Sequence, residues 1–175
     1  ELVQNPPPVA LNCLNNTNIS ISETGSTTLN PGYFVSPSYP NFPFLILTIE
    51  GRSNTVITCD DVGHTLTAVV LDPIANVTCS SQFNVEDKLA PVFVCQTLEL
   101  PCGIDVYSVP QPYTPLVTVT DNCTNPPVVT ILSHQEKIYN CPSPYTFEIV
   151  RQYKATDASG NSSTCTDTVR FLRPV

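Results

Sequence analysis

An internal repeat narrows the possible folds of this chain more than any other feature. The segment Pro8–Cys13 matches Pro91–Cys95, and Asp72–Cys79 matches Asp157–Cys165 with one extra residue. The matched cysteines lie about 85 residues apart, which is the size of one small domain. The 175 residues are therefore predicted to form two domains, 1–86 and 87–175.

Both copies are predicted to be all-β. Short runs rich in Val, Ile, Thr, Tyr and Phe alternate with turn residues such as Pro, Gly and Asn, and no window of ten or more residues shows a helical stripe. The predicted strands are Asn18–Ser22, Phe44–Ile49, Thr55–Thr58, Thr65–Leu71, Gln82–Val85, Leu116–Thr120, Val128–Leu132, Tyr145–Ala155 and Asp167–Leu172. This pattern favours two tandem immunoglobulin-like antiparallel β-sandwiches, although the chain has no Trp for the antibody-type Cys-Trp-Cys pattern.

Composition excludes several kinds of partner. Only 13% of the residues are charged and the net charge is -8, with single, scattered cations, so nucleic acid and anionic lipid are not expected to bind. No run of 18 apolar residues is present, so no membrane span is predicted. The chain begins at Glu1 without a signal-like segment, and we interpret it as a fragment or a mature product.

The eight cysteines are typical of an oxidising compartment, which indicates an extracellular or cell-surface protein. A cysteine zinc site is not expected, because even the nearest pair, Cys95 and Cys102, is more widely spaced than a zinc ribbon requires. The even count indicates disulfides, but spacing alone does not determine which cysteines pair.

Three segments of the second copy resemble the hyalin-repeat (HYR) type of immunoglobulin-like domain. They are Thr120–Cys123, Cys141–Thr146 and Ala155–Cys165. The first copy resembles a sister type through Cys13, Thr58–Gly63 and Thr78-Cys79. More narrowly, the chain is similar to tandem repeats in secreted and surface proteins of Bacteroidota, including gliding-motility adhesins. The resemblance implies β-sandwiches carried in exported arrays, used for adhesion or as spacers, without catalytic activity.

The resemblance also implies disulfide pairs. It joins the first and last cysteines of each copy, Cys13 with Cys79 and Cys95 with Cys165, and pairs Cys123 with Cys141. The first copy lacks the Asp-Asn-Cys motif, which leaves Cys59 without its usual partner, and Cys102 is also left over. Three alternatives stay open: Cys59 and Cys102 bridge the domains, both are free thiols, or Cys102 takes Cys123 or Cys141.

No arrangement of residues predicts catalysis. His64 and His134 are the only histidines, and neither belongs to a known catalytic motif. Both are expected to be exposed turn residues. The chain is predicted not to be an enzyme and to need no cofactor, calcium excepted.

Calcium is the one candidate ion. Asp157 and Asn161 share one tight loop, and Glu86 and Asp87 lie between the copies, where extracellular modules place carboxylates for Ca²⁺. Asp-x-x-Gly-Asn is also ordinary turn chemistry, so the same residues have a purely structural explanation.

An aromatic segment suggests a binding surface. Tyr33, Phe34, Tyr39 and Phe42 lie among prolines that disfavour a regular central strand. Their rings could stack on sugars or dock another protein. The alternative is that they fill the core, which we expect above all for Phe42 and Phe44.

Glycosylation is a further possibility for a surface protein. The Asn-x-Ser/Thr acceptors are Asn15, Asn18, Asn76, Asn122 and Asn161. The segment Asp167–Val169 resembles the O-glycosylation acceptor of Bacteroidota, with Thr168 as the modified residue.

The junctions favour a stiff array. Pro6–Pro8 precede the first copy, and only a short segment separates the copies, so neither junction is a flexible Gly/Ser tether. The predicted function is a stalk, filament or adhesin spacer in a larger exported bacterial surface protein, with neighbouring repeats as partners. The alternative is a carbohydrate- or protein-binding module that recognises surface glycans or proteins, with a role as accessory to a secreted hydrolase as a variant of it.

Overall fold

Strands make up nearly all regular structure in the described part of the chain. The computed structural model describes residues 10–15, 17–105 and 116–174, so the predicted stiff lead-in Pro6–Pro8 lies outside the described residues. The chain divides into two units between Lys88 and Leu89, within the segment that connects the last strand of one unit to the first strand of the next. Within the described residues, no helix is long and apolar enough to cross a membrane.

The first unit is built from two sheets. Its strands are β1 (Thr17–Ser20), β2 (Ser26–Thr28), β3 (Ile46–Ile49), β4 (Val56–Thr58), β5 (Thr65–Asp72) and β6 (Val77–Glu86). The larger sheet has the order β1-β6-β5-β3, and the smaller sheet pairs β2 with β4. Three short 3₁₀ turns, Pro31–Tyr33, Phe42–Phe44 and Cys59–Asp61, complete the described regular structure of the unit.

The second unit repeats this plan. Its strands are β7 (Val92–Cys95), β8 (Thr97–Leu100), β9 (Val117–Thr120), β10 (Val128–Ile138), β11 (Tyr145–Thr156) and β12 (Ser162–Leu172). The larger sheet has the order β10-β11-β12-β8, and β7 pairs with β9 in the smaller one. The predicted all-β fold of two tandem immunoglobulin-like sandwiches is confirmed.

The strand pairing differs from the prediction at one place in each unit. Most pairs are antiparallel, but β1 runs parallel to β6, and β8 runs parallel to β12. Parallel neighbours need a long connection between them. Here that connection is most of the unit itself, because each parallel pair joins an early strand to the last strand.

Alternating burial places an apolar core inside each unit. In the second unit, the buried cluster contains Leu116, Val117, Ile149, Tyr153, Val169 and Phe171. In the first, the largest buried apolar side chains are Phe34, Phe83, Ile21, Ile49, Ile57, Val70 and Val85. Each such side chain stabilises the fold by about 1.5–3 kcal/mol relative to its exposed state.

Some strands were missed or predicted too short. β2, β7 and β8 are absent from the prediction, because each is only three or four residues long. β10 was predicted to end at Leu132 but continues to Ile138. Its second half is polar and exposed, which is compatible with a strand at the edge of a sheet.

Candidate functional site

Two disulfides close the two units. Cys13 is bonded to Cys79 with a Cα–Cα distance of 5.6 Å, and Cys95 is bonded to Cys165 with a distance of 6.2 Å. These are the two pairs that the resemblance implies. Cys13 lies just before β1 and Cys79 lies in β6, so the bond joins the beginning of the first unit to its last strand. The second bond likewise joins the end of β7 to β12.

The predicted pair of Cys123 with Cys141 is wrong. Cys123 is disulfide-bonded, whereas Cys141 is an exposed free thiol. The two cysteines lie beyond opposite ends of β10, which is 11 residues long. A strand of that length spans about 35 Å, whereas the Cα atoms of a disulfide must approach to about 6 Å.

The bridge between Cys59 and Cys102, one of the three alternatives that the sequence left open, is not formed. Cys59 is disulfide-bonded and Cys102 is not. Cys102 lies in an exposed turn that follows β8, with its thiol free. The alternative in which Cys102 pairs with Cys141 is not formed in the structure, since both are free thiols.

Three carboxylates gather beside the start of the second unit. One oxygen from each of Asp87, Asp121 and Asp157 lies within 4.8 Å of the others. Asp87 belongs to the connecting segment, Asp121 directly follows β9, and Asp157 directly follows β11. Asp87 and Asp157 are buried, so their negative charges are held close together with little solvent screening.

The loop around Asp157 holds its carboxylate in a fixed position. The backbone N–H of Asn161 donates to Asp157 Oδ1 and its amide donates to Oδ2, both at 2.8 Å. Gly160 has φ +90°, a left-handed conformation that glycine adopts without strain. Asn161, predicted as a ligand, therefore positions Asp157 through two hydrogen bonds.

Asp121 was missed by the sequence prediction, although it stands in the Thr120–Cys123 motif. Its Oδ1 accepts hydrogen bonds from the N–H groups of Cys123 at 3.0 Å and Thr124 at 2.6 Å. Thr124 Oγ1 in turn accepts from the N–H of Ala158, which ties this turn to the loop after β11. The sequence signal that could have found Asp121 is one that it shares with Asp157: each aspartate stands in a motif of the resemblance and directly follows a strand.

Glu86, the remaining predicted ligand, lies outside this acidic group. It is the last residue of β6, and its carboxylate forms an ion pair with Lys88 at 2.5 Å. Its backbone carbonyl accepts a hydrogen bond from Ile21. Glu86 therefore takes part in the end of the first unit, with a lysine as its counter-charge.

The donor set of the acidic group fits a hard divalent cation. Ca²⁺ takes 6–8 oxygen ligands, about half of which three carboxylates could supply if some of them bind through both oxygens. A bound cation would also remove the repulsion among three negative charges that lie so close together. Asp87, Asp121 and Asp157 are the residues that would hold it.

The predicted aromatic binding surface is wrong for two of its four residues. Phe34 is fully buried and packs against Phe83 with ring centroids 5.3 Å apart. Tyr39 is also buried. Tyr33 and Phe42 are partly buried, whereas Phe44, which we expected in the core, is 60% exposed.

Tyr39 is buried because its hydroxyl has a partner inside the unit. The hydroxyl donates to Asp72 Oδ2 at 2.8 Å, and the Asn41 amide donates to the same oxygen at 2.8 Å. Asp72 Oδ1 accepts from the N–H groups of Ile74 and Ala75. This network anchors the aromatic segment to the end of β5.

The electrostatics of Asp72 follow from this network. Burial alone would raise the pKa of its carboxylate. Hydrogen bonds donated by Asn41 and by the N–H of Ala75, and then by Tyr39 and the N–H of Ile74, outweigh burial and lower the pKa of Asp72 to about 2. The residue is therefore an anion that belongs to the fold of the first unit.

A second buried charge lies in the core of the second unit. Arg151 Nε donates to Asp167 Oδ1 at 3.0 Å and its Nη2 donates to Oδ2 at 2.7 Å. The Tyr153 hydroxyl also donates to Oδ2, at 3.0 Å. Both charged side chains are fully buried, so a two-point ion pair joins β11 to β12.

The predicted glycan acceptors differ in accessibility. Asn15, Asn18 and Asn76 are exposed, whereas Asn122 and Asn161 are partly buried. Thr168 lies in β12 between β11 and β8, directly after the buried Asp167. Glycosylation at these six positions stays a prediction.

The two histidines lie on the surface or near it. His64 is exposed, and its N–H donates to the carbonyl of Asp61 at 3.0 Å. His134 is exposed as expected, but its predicted place in a turn is wrong, because β10 continues past Leu132 and contains it; its Nε2 lies 2.9 Å from Glu136 Oε1. Both positions are ordinary for histidines that stabilise a turn or pair with a neighbour.

No family model and no curated protein matches this chain, so neither comparison supports the resemblance to hyalin repeats or to Bacteroidota proteins. Solved structures similar to it include human protocadherin-24 EC1-2 (15% identity, TM-score 0.37, 95% of this chain and 100% of that chain). Human mucin-like protocadherin EC1-2 is also similar, with 11% identity and a TM-score of 0.32 over 93% of this chain and 97% of that chain. Human CDH23 EC21-23 has 12% identity and a TM-score of 0.34 over 94% of this chain and 70% of that chain. At such low TM-scores and identities, these similarities assign neither a family nor a function.

Proposed function

We propose that this chain is a non-catalytic pair of extracellular repeats that bears tension as a stalk, filament or adhesin spacer of a larger exported bacterial surface protein. The observation that carries the proposal is the arrangement of the first unit's terminal strands. β1 and β6 are parallel neighbours, with Thr17 opposite Phe83 and Ser20 opposite Glu86. The chain therefore enters this pair at one end and leaves it at the other.

That arrangement resists pulling. When the two ends of a unit whose disulfide has been reduced are pulled apart, the hydrogen bonds between these parallel strands are loaded together in shear. In the second unit the parallel neighbour of the last strand, β12, is the unit's second strand, β8, with Thr97 opposite Thr168 and Leu100 opposite Phe171.

The disulfides support the same function. Force that enters the first unit passes through Cys13–Cys79 and bypasses the residues between them, because the bond is covalent. Cys95–Cys165 provides the equivalent bypass in the second unit. An oxidised repeat therefore cannot lengthen much, even when its sheets open. Disulfides also favour an oxidising, extracellular location.

Single-molecule force extension of the whole chain tests the proposal. Oxidised chains are expected to show only short extensions, and added reductant is expected to release the residues inside each loop. The released loops have sequence separations of 66 and 70 residues. At about 3.4 Å per residue, these correspond to steps of about 220 and 240 Å.

A variant distinguishes the extension steps of the two units in that experiment. Replacing both Cys13 and Cys79 by Ala should give the shorter step without reductant and leave the longer one dependent on it. Reduced units that extend gradually at low force, without discrete steps, would contradict a tension-bearing role. The disulfides alone would then explain the resistance of the oxidised chain.

We also propose that Ca²⁺ binds to Asp87, Asp121 and Asp157. The proximity of their carboxylates supports this, with Asn161 as the residue that positions Asp157. Thermal melts in calcium and in chelator test it, and we expect a higher midpoint with calcium. Asp121→Asn should abolish the difference, whereas the exposed Asp60→Asn should keep it. Equal midpoints for the unaltered chain in the two buffers would exclude the site.

A further inference from the structure

Two thiols remain at one end of the second unit, and we propose that Cys102 and Cys141 form an additional disulfide when the chain is oxidised. Both are exposed free thiols in the structure. The other six cysteines of the chain are disulfide-bonded. Within the chain, Cys141 is therefore the one free thiol with which Cys102 can pair. The physiological relevance of the bond rests on the proposed extracellular location.

The position of Cys102 follows from β8. This strand lies at the edge of the larger sheet, parallel to β12, and its last residue Leu100 pairs with Phe171. Cys102 is only two residues beyond this pair, in an exposed turn. It therefore lies next to the end of the sheet where β12 also finishes.

Cys141 lies in the turn between β10 and β11, at the same end. β11 begins there, because Tyr145 pairs with Leu172 at the end of β12. Arg173 holds the turn against the end of β12: its N–H donates to Pro144 O at 2.8 Å, and its side chain donates to Ser143 O at 2.9 Å. These two bonds keep the Ser143–Pro144 part of the turn next to the end of β12.

A side-chain contact shows how close the two regions are. The Tyr145 hydroxyl donates to Glu99 Oε1 at 2.6 Å, across the intervening strand β12. Arg170 of β12 lies over the Tyr145 ring, with Cζ 5.2 Å from its centroid. β8 and the start of β11 are therefore in side-chain contact across β12, the strand with which both of them pair.

The remaining distance can be closed by the turns. Strands two positions apart in a sheet are about 10 Å apart, and the Cα atoms of a disulfide must lie about 4.4–6.8 Å apart. Cys102 is two residues from Leu100 and can lie up to about 7 Å from it. Cys141 is four residues from Tyr145 and can lie up to about 14 Å from it. Movement of exposed turns alone is therefore sufficient, and no strand pair has to break.

The bond forms by thiol–disulfide exchange with a small disulfide such as oxidised glutathione. The thiolate of one cysteine attacks the glutathione disulfide, which gives a mixed disulfide and releases one glutathione thiolate. The thiolate of the second cysteine attacks the protein sulfur of that mixed disulfide and releases the second glutathione. The two cysteine thiols are oxidised, their protons go to the solvent or the released thiolates, and one glutathione disulfide is reduced.

The test uses the whole purified chain, incubated in a glutathione redox buffer, denatured without reduction and alkylated with iodoacetamide. We expect no alkylation at Cys102 or Cys141, and peptide mapping should find the two in one linked peptide. In Cys102→Ser, Cys141 should become alkylated or carry glutathione. The reciprocal variant Cys141→Ser should expose Cys102 in the same way.

Two results would overturn the inference. One is alkylation of both cysteines in chains that have formed Cys13–Cys79 and Cys95–Cys165. The other is a peptide that links Cys102 or Cys141 to a different cysteine or to a second copy of the chain. Because the buffer supplies the oxidant, neither result bears on whether the protein is extracellular or carries tension.

Discussion

Cys13 and Cys79 are bonded at the same 66-residue offset that relates Thr17 to Phe83 in the parallel pairing of β1 with β6. The disulfide therefore joins two residues that are in the same register as the residues paired between β1 and β6. In the second unit the disulfide has a separation of 70, whereas Thr97 pairs with Thr168, an offset one residue larger. The chain changes sheets between these points, at Gln96, whose N–H donates to Leu116 and whose carbonyl accepts from Thr168.

Replacing Cys13 and Cys79 by Ala should destabilise the first unit. The bond closes a loop with a sequence separation of 66 residues, and the loop-entropy estimate for such a loop is about 4 kcal/mol. Urea denaturation of the double variant and the oxidised chain, followed by circular dichroism, measures the difference. Ser80→Ala, at the exposed position next to Cys79, is the matched control and should change the free energy of unfolding by less than about 0.5 kcal/mol.

The stability of the second unit should depend on its buried ion pair between Arg151 and Asp167. Arg151→Ala would leave the buried Asp167 carboxylate without its two-point partner, and breaking such pairs from one side costs about 3–5 kcal/mol. Replacing both residues with Leu removes both charges and should cost less than the single change. Urea denaturation of the three chains checks this order. A double variant less stable than Arg151→Ala would show that packing around the pair matters more than the uncompensated charge.

The sequence was sufficient for the repeat and the main strands, because both depend on local patterns. Val, Ile and Thr alternation predicted β5 and β11 almost to their ends. It could not predict the parallel pairing of β1 with β6, since that depends on how the whole unit closes. The strand β8 alternates polar and apolar residues, but over only four positions, which is too short a run to be recognised alone.

The candidate site was predictable in part for the same reason. Asp157 was visible from its loop, whereas Asp121 joins it only because β9 and β11 end at one place in the fold. Cys141 was paired with Cys123 because the resemblance implied it, and the predicted end of β10 at Leu132 did not reveal the conflict with a strand that continues to Ile138. Which residues lie near each other at the ends of a strand depends on the length of that strand. This length is difficult to predict for β10, because the second half of this edge strand is polar and exposed.

The aromatic segment gives a contrast that mutation can measure. Phe34→Ala should destabilise the first unit by about 3–5 kcal/mol, because it removes a fully buried ring that packs on Phe83. Phe44→Ala changes a ring that is 60% exposed and should cost much less. Urea denaturation of both variants measures the two values. Equal losses would mean that Phe44 is covered in solution, in contrast to the exposure seen here.

Asp72 should make the first unit sensitive to acid. Its pKa is about 2 in the folded chain, against about 3.9 for an unfolded aspartate, so the folded state favours the ionised form. Stability from this group is therefore fully present above about pH 4 and is lost as the pH falls towards 2. We expect the unfolding midpoint in urea to fall over this interval.

Asp72→Asn separates this contribution from that of other carboxylates. The amide keeps an oxygen that can accept from the N–H groups of Ile74 and Ala75 but carries no charge. The variant should be less stable than the unaltered chain at pH 7, and the gap should narrow between pH 4 and pH 2. Asp60→Asn, at an exposed position, should leave the pH profile unchanged. A constant gap between Asp72→Asn and the unaltered chain across this range would show that ionisation of Asp72 is not coupled to folding.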